Sequence, residues 1–175
     1  MDPENEQTLT IACRTKKNLE YIYRKRAEGE DVEEFTQLLN SMLSMVICLR
    51  EDYYKGSHIT WQELERRGLL RENTRLQSIT GKKATRPSPK LQQVNSFSQL
   101  IGKLRNAFAH NCFKLIVNGH TRQITGITVW NVPSGQDNIP SNREWEADIL
   151  ETDLKELAYL FVGYIEHELN ARCTD

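Results

Sequence analysis

Leu100-Ile101-Gly102-Lys103-Leu104-Arg105-Asn106-Ala107-Phe108-Ala109-His110-Asn111-Cys112-Phe113-Lys114-Leu115-Ile116-Val117 changes its period part-way along, and that change decides the fold. Ile101, Leu104 and Phe108 recur at three- and four-residue spacing, which predicts a helix with one buried stripe. Leu91 and Val94 continue the stripe upstream and place the start of this helix near Ser88 or Pro89. Beyond it, Phe113–Val117 and Gln123–Val132 are rich in β-branched residues and read as strands. They flank Asn118-Gly119, the commonest tight-hairpin dipeptide, with a longer loop to Arg122 as the other reading. A turn-rich stretch, Pro133–Asn142, then precedes a third strand in Arg143–Ile149.

Helical periods surround this segment. Pro3 suits the first position of a helix capped by Asp2. Leu9, Ala12, Cys13, Leu19, Ile22 and Tyr23 give that helix a broad apolar face up to about Ala27, and Gly29 stops it. A second helix opens at Asp31, with Glu34 completing a capping box. Val32, Phe35, Leu38, Leu39, Met42, Val46 and Leu49 form its stripe. Thr60-Trp61-Gln62-Glu63 is a further capping-box signature for a short helix that Gly68 ends. The last helix runs from Thr152 to about Ala171 with Leu154, Leu157, Leu160, Phe161, Ile165 and Leu169 inward. The sum is a mainly α protein, a four-to-five-helix bundle with a small β-hairpin inserted before the last helix. Residues 1–175 read as a single domain, with 69–88 a long basic loop and 113–149 the hairpin insertion.

The 175 residues suffice for one full core and fall short of two. Hydrophobic residues make up 38% of the chain and no apolar run approaches the ~20 residues of a membrane span. The acidic start, Met1-Asp2-Pro3-Glu4-Asn5-Glu6, lacks the regions of a signal peptide. Cys13, Cys48, Cys112 and Cys173 are scattered without a C-x-x-C pair, which predicts buried free thiols and a cytoplasmic location. Net charge is -1, yet it is segregated: eight basic residues and one acidic residue lie between Arg66 and Lys90, whereas nine acidic and two basic ones follow from Glu144. A polyanion-binding segment and a solvated loop that merely lacks acids both fit this pattern.

Arg105-Asn106-Ala107-Phe108-Ala109-His110 holds the residues most suited to chemistry. Arginine is permanently charged and forks onto phosphate oxygens. Histidine ordinarily exchanges protons near neutrality. The pair suits phosphodiester chemistry without a metal. Asn106 and His110, four apart, share a helix face. Arg105 and His110, five apart, lie about 140° apart around the axis. One helix therefore does not converge them, and a two-fold packing of identical motifs would. That favours a composite, dimeric site. A helix-end histidine that complements the dipole is the structural alternative.

This hexapeptide resembles the R-x-x-x-x-H signature of the HEPN superfamily, including the polar residue that often follows the arginine. The motif's place on a late helix with one helix to follow matches that family. Leu100-Ile101-Gly102-Lys103-Leu104 and the following hairpin resemble a plasmid- and defence-associated subgroup. The resemblance implies a HEPN-like helical bundle. It also implies a metal-independent endoribonuclease of a toxin or defence system, leaving a 2′,3′-cyclic phosphate and a 5′-hydroxyl. His110 would serve as acid–base, Arg105 would stabilise phosphate charge, and Asn106 would orient either. The expected partners are an RNA substrate, a second copy of the chain, and an antitoxin or defence-system protein. No cofactor and no metal are called for. A non-catalytic HEPN module that binds nucleic acid or a partner protein, and a helical adaptor, are the competing readings. In one toxin branch a modifiable tyrosine lies two residues beyond the histidine. Here that position is Cys112, so that regulation is not implied.

Lys103 and Lys114 flank the motif as extensions of a phosphate track, and Arg66, Arg67, Arg71, Arg75, Lys82 and Lys83 are the further RNA-binding candidates. His58 and His120 sit in loop contexts, His167 lies between Glu166 and Glu168, and no pair has metal-ligand spacing. Asp148, Glu151 and Asp153 straddle a strand end and a helix start, where acids are expected from the dipole. Packing is the first reading for Trp130, while Trp61 is open between packing and base stacking.

Overall fold

Pro3 begins the first helix, α1 (Pro3–Ala27), which carries acids in its first turn and Arg24, Lys25 and Arg26 in its last, as the helix dipole favours. The computed structural model describes residues 3–48, 59–70, 74–79 and 94–173, so the expected Asp2 cap, His58 and most of the 69–88 loop lie outside the described residues. The second helix, α2, is Glu34–Cys48, three residues shorter at its start than the Asp31 capping box predicts. The Gln37 N–H donates to the Glu33 carbonyl at 3.1 Å, and the Glu34 carboxylate faces Arg26 at 3.3 Å instead of capping. A tertiary ion pair has taken the residue that local chemistry assigned to the cap.

α3 (Trp61–Arg66) starts as its sequence predicts, with the Thr60 hydroxyl accepting from the Glu63 N–H. The basic loop is not structureless, because Leu76–Ser78 form a 3-10 turn with Leu76 and Ile79 buried. α4 (Phe97–Ala109) begins eight or nine residues later than the Ser88 or Pro89 start. Its true boundary is Ser96, whose hydroxyl accepts from the Gln99 N–H while the Gln99 side chain accepts from the Asn95 N–H at 2.8 Å.

Three antiparallel strands follow, β1 (Phe113–Val117), β2 (Ile124–Asn131) and β3 (Trp145–Leu150), in the order β1-β2-β3. The β1–β2 connection is the longer loop, not the tight turn. The Asn118 side chain accepts from the His120 and Thr121 N–H groups, and Arg122, at φ 61, carries the left-handed residue. Register sets Phe113 opposite Val129, Val129 opposite Ala147 and Ile127 opposite Ile149. Alternation therefore turns Ile127, Val129, Trp145, Ala147 and Ile149 toward the helices, where all are buried. α5 (Glu151–Glu168) returns through the core, three residues short of the expected Ala171 end.

α1 packs against α2 and α5, and α2 and β2 pack against α4. Phe97 anchors the far end of α4, about 6 Å ring to ring from Trp61, Phe161 and Tyr164. Trp61 is therefore core. No helix among the described residues is long and apolar enough to cross a membrane.

The cysteine expectation is corrected. Cys13 of α1 and Cys173, beyond α5, form a disulfide with their Cα atoms 5.0 Å apart. The contact of α1 with α5 brings together residues 160 positions apart. Glu166 steadies the tail, accepting from the Cys173 N–H at 2.7 Å and lying 3.7 Å from the Lys16 ammonium. Cys112 is a buried free thiol, and with the Cys13–Cys173 disulfide present cysteine usage no longer argues for a reducing compartment.

Candidate functional site

The last turn of α4 explains how His110 is displayed. Helices end where a residue can take the left-handed conformation, and Asn111, at φ 52, does so. The Cys112 N–H returns to the Ala107 carbonyl at 2.7 Å and the Asn111 N–H to the Phe108 carbonyl at 3.1 Å. This closes a Schellman motif with His110 as the C-cap. Its N–H donates to the Asn106 carbonyl one turn earlier, and both side chains are exposed. The chain then enters β1, while the Trp130 N–H bonds the Cys112 carbonyl at 3.0 Å. The histidine is fixed by backbone on both sides.

Asn106 and His110 line one cleft of about 640 Å³, together with Asn131, Gln136, Asn138 and Glu144. Its far wall is the segment after β2. There the Trp130 indole N–H donates to Asn138 Oδ1 at 2.7 Å, and the Asn138 amide reaches the Cys112 sulfur at 3.5 Å. Arg143 lies over the Trp130 ring at 4.1 Å. Arg105, half-buried, does not line the cleft, and its guanidinium approaches Asn106 Oδ1 at 3.5 Å. The structure thus brings Asn106 and His110 to one cavity and leaves Arg105 beside it, as five-residue spacing requires.

The flanking cations are placed unequally. Lys103 is bound to Glu144 at 2.8 Å, with both side chains at least three-quarters covered. Lys114 is exposed on β1, on the sheet face opposite the core. Arg66 pairs with Glu63, and Arg67 is held by Glu63 and Glu168 over the Tyr164 ring. These hydrogen bonds, Arg67 first, hold the Glu63 carboxyl below its usual range, and those from Glu63 and Glu168 raise the Arg67 guanidinium. Tyr164 touches Phe97 at the start of α4, and the helix rises about 1.5 Å per residue. Arg66 and Arg67 therefore sit at the opposite end of α4 from His110. Arg75 is exposed, whereas Arg71, Lys82 and Lys83 lie outside the described residues.

Other candidates serve structure. Asp148 accepts from the Thr128 hydroxyl at 2.6 Å, Glu151 from the Tyr23 hydroxyl at 3.1 Å, and Asp153 is buried at the start of α5. Burial, then Glu151, pushes the Tyr23 hydroxyl well above its ordinary pKa. No group of three His, Cys, Asp or Glu among the described residues could hold a metal ion. Sequence reasoning missed the cleft's far wall. Asn138 and Gln136 lie in a turn-rich stretch with no period, and only folding carries them to His110.

A helical bundle with a short sheet before its last helix, showing R-x-x-x-x-H at the end of the penultimate helix, defines a HEPN-type protein. A family model described as HEPN pEK499 p136 matches residues 1–171, and the chain belongs to that family. No curated protein and no solved structure matches it.

Proposed function

We propose that this protein is a metal-independent endoribonuclease of a toxin or defence system, working as a homodimer whose composite site combines Arg105, Asn106 and His110 of both copies. The observation that carries this reading is the display of an exposed His110 at a fixed helix end, with Asn106 beside it and Arg105 one step around the helix. One subunit supplies half of a convergent Arg–His set, and a two-fold across α4 completes it.

The chemistry follows from the residue types. One imidazole takes the proton from a ribose 2′-hydroxyl, and that oxygen attacks the adjacent phosphorus. The bond from phosphorus to the 5′-oxygen breaks, and a protonated imidazole supplies the leaving oxygen with its proton. The products are a 2′,3′-cyclic phosphate and a 5′-hydroxyl. Arg105 offsets the charge that builds on the phosphoryl oxygens, and Asn106 orients the histidine or the phosphate. Lys114, Arg75 and the basic residues Arg71, Lys82 and Lys83 extend the contact along RNA. Lys103, already neutralised by Glu144, contributes less.

Labelled RNA incubated with the purified protein in EDTA tests the proposal. Cleavage survives chelation, and His110→Ala or Arg105→Ala lowers it by about 10²–10⁴-fold. Turnover unchanged in both variants, with the fold intact, refutes the reading. Retained RNA binding without cleavage in the wild type supports the non-catalytic module instead.

A further inference from the structure

We infer that the solvent face of α1 is a nucleic-acid surface separate from the cleft, a track for a single-stranded polynucleotide built on Arg14, Lys17, Tyr21 and Arg24. It lies on a different helix from His110 and stands independently of the ribonuclease reading.

The helix period assembles the stripe. At about 100° per residue, Arg14, Lys17, Tyr21 and Arg24 fall within an arc of about 80°. The buried residues of α1, Thr8, Ala12, Thr15 and Leu19, fall on the opposite arc, and the helix packs against α2 and α5. All four stripe residues are exposed, and a rise of about 1.5 Å per residue spreads them over about 15 Å. Gln7, Thr10 and Asn18, exposed on the same face, are neutral.

The cations of this face are available. Arg14 and Lys17 make no ion pair among the described residues, whereas Lys16 faces Glu166 at 3.7 Å and Arg26 faces Glu34 at 3.3 Å. Arg24, its side chain 64% exposed, reaches Glu28 only at 3.9 Å, a surface pair that a phosphate can replace. The disulfide adds another cation at the start of the stripe. With the Cys13 and Cys173 Cα atoms 5.0 Å apart, the exposed Arg172 is carried to within about 9 Å of Cys13, Cα to Cα. Acids bound the track without interrupting it. Glu28 closes its end, where it holds Lys25 at 2.9 Å, and Glu20 lies about 40° outside the arc.

Charge and the ring together select the ligand. A row of available cations calls for a polyanion. Tyr21, 52% exposed, adds an aromatic surface to that row, with Arg24 and Lys25 at 5.6 and 5.9 Å from its ring centre. An aromatic surface between cations suits unpaired bases, because every base has a π-face and the phosphates alongside meet the cations. A duplex keeps its bases stacked inside and gives Tyr21 nothing to stack on. Carboxylates along an acidic peptide would use the cations and leave the ring idle. A membrane surface calls for an apolar face, and the stripe contains no aliphatic residue. Nothing in this geometry reads a base edge or a 2′-hydroxyl, so the track takes any sequence and either sugar.

Fluorescence anisotropy of a labelled deoxythymidine dodecamer, which lacks the 2′-hydroxyl that cleavage needs, tests the track on the full-length protein. Each phosphate contact on a single strand contributes about −0.7 to the slope of log affinity against log salt. Removing two cations, in the double variant Arg14→Ala and Lys17→Ala, is therefore expected to flatten the slope by about 1.4. Tyr21→Ala is expected to weaken binding at least about fivefold with the slope unchanged, and Tyr21→Phe to keep the wild-type affinity. All three residues are exposed, and thermal unfolding checks that each variant keeps its fold. An unaltered slope in the double variant, or unaltered affinity in Tyr21→Ala, overturns the inference. So does a duplex of the same length binding more tightly than the single strand, or polyglutamate competing as well as polydeoxythymidine. Loss of the track leaves the cleavage proposal standing, since these variants leave Arg105 and His110 in place.

Discussion

An alanine at Gly126 would carry its Cβ 2.5 Å from the Ile149 carbonyl oxygen, 3.0 Å from the Leu150 Cα and 3.2 Å from the Ile149 carbonyl carbon. All three atoms are backbone of β3, so no side chain can swing aside. Relief requires β2 and β3 to part by several tenths of an ångström at a buried position. Forcing a methyl into a closed interior costs about 2–3 kcal/mol by overpacking. Gly102 provides the control. It lies in α4 with nothing within 4 Å of its would-be Cβ, so alanine there gains about 0.5–1 kcal/mol through helix propensity. Urea unfolding followed by tryptophan fluorescence reads both, because Trp61, Trp130 and Trp145 are all buried. Gly126→Ala within about 0.5 kcal/mol of wild type would refute the close-approach argument. A Gly102→Ala variant destabilised by more than that amount would refute the claim of open space. The functional consequence is separable. Gly126 pairs with Leu150 at the end of the sheet opposite the Asn131–Trp145 pair beside the cleft, so Gly126→Ala tests stability without touching the cleft wall.

Reducing the Cys13–Cys173 disulfide, or replacing Cys13 by Ser, is expected to lower unfolding stability by about 2–5 kcal/mol, read from denaturant midpoints with and without reductant; coincident midpoints would count against the bond. Ser96→Ala should cost about 1 kcal/mol through loss of the α4 cap, and a cost under about 0.3 kcal/mol would place the boundary elsewhere. A double-mutant cycle on Lys103 and Glu144 should return a coupling of about 1 kcal/mol, since the pair is largely covered but not sealed; zero coupling would free Lys103 for RNA. The Glu63 carboxyl binds its proton more weakly in the folded chain than in the unfolded one. Its contribution is therefore present above the usual carboxylate range and is lost as pH falls through the folded value. The stability gap between wild type and Glu63→Gln should narrow on going from pH 7 toward pH 3, and a gap that widens would reverse the sign.

Legibility in the sequence followed the range of the interaction. Pro3, the Thr60 cap and the stripe Leu154, Leu157, Phe161 and Ile165 were readable because each depends on partners within about four residues. The start of α4 was equally local, written in Ser96 and Gln99, but the apolar residues Leu91 and Val94 drew the expected boundary upstream. Asn111 as a left-handed helix stop was open to the same reasoning. The divergence of Arg105 and His110 around α4, on which the proposed half-site rests, came from helix angle alone. The Cys13–Cys173 bond, the capture of Glu34 by Arg26 and the pairing of Lys103 with Glu144 followed no period. Nor did the amide wall opposite His110. Those contacts join residues that only the packing of α1 on α2 and α5, or of the sheet on α4, makes neighbours. By itself the sequence determined the helices, the strands and the chemistry displayed at the end of α4. The tertiary structure decided which charges remain free and what faces the histidine, because partner choice between distant residues is settled by the shape of the core.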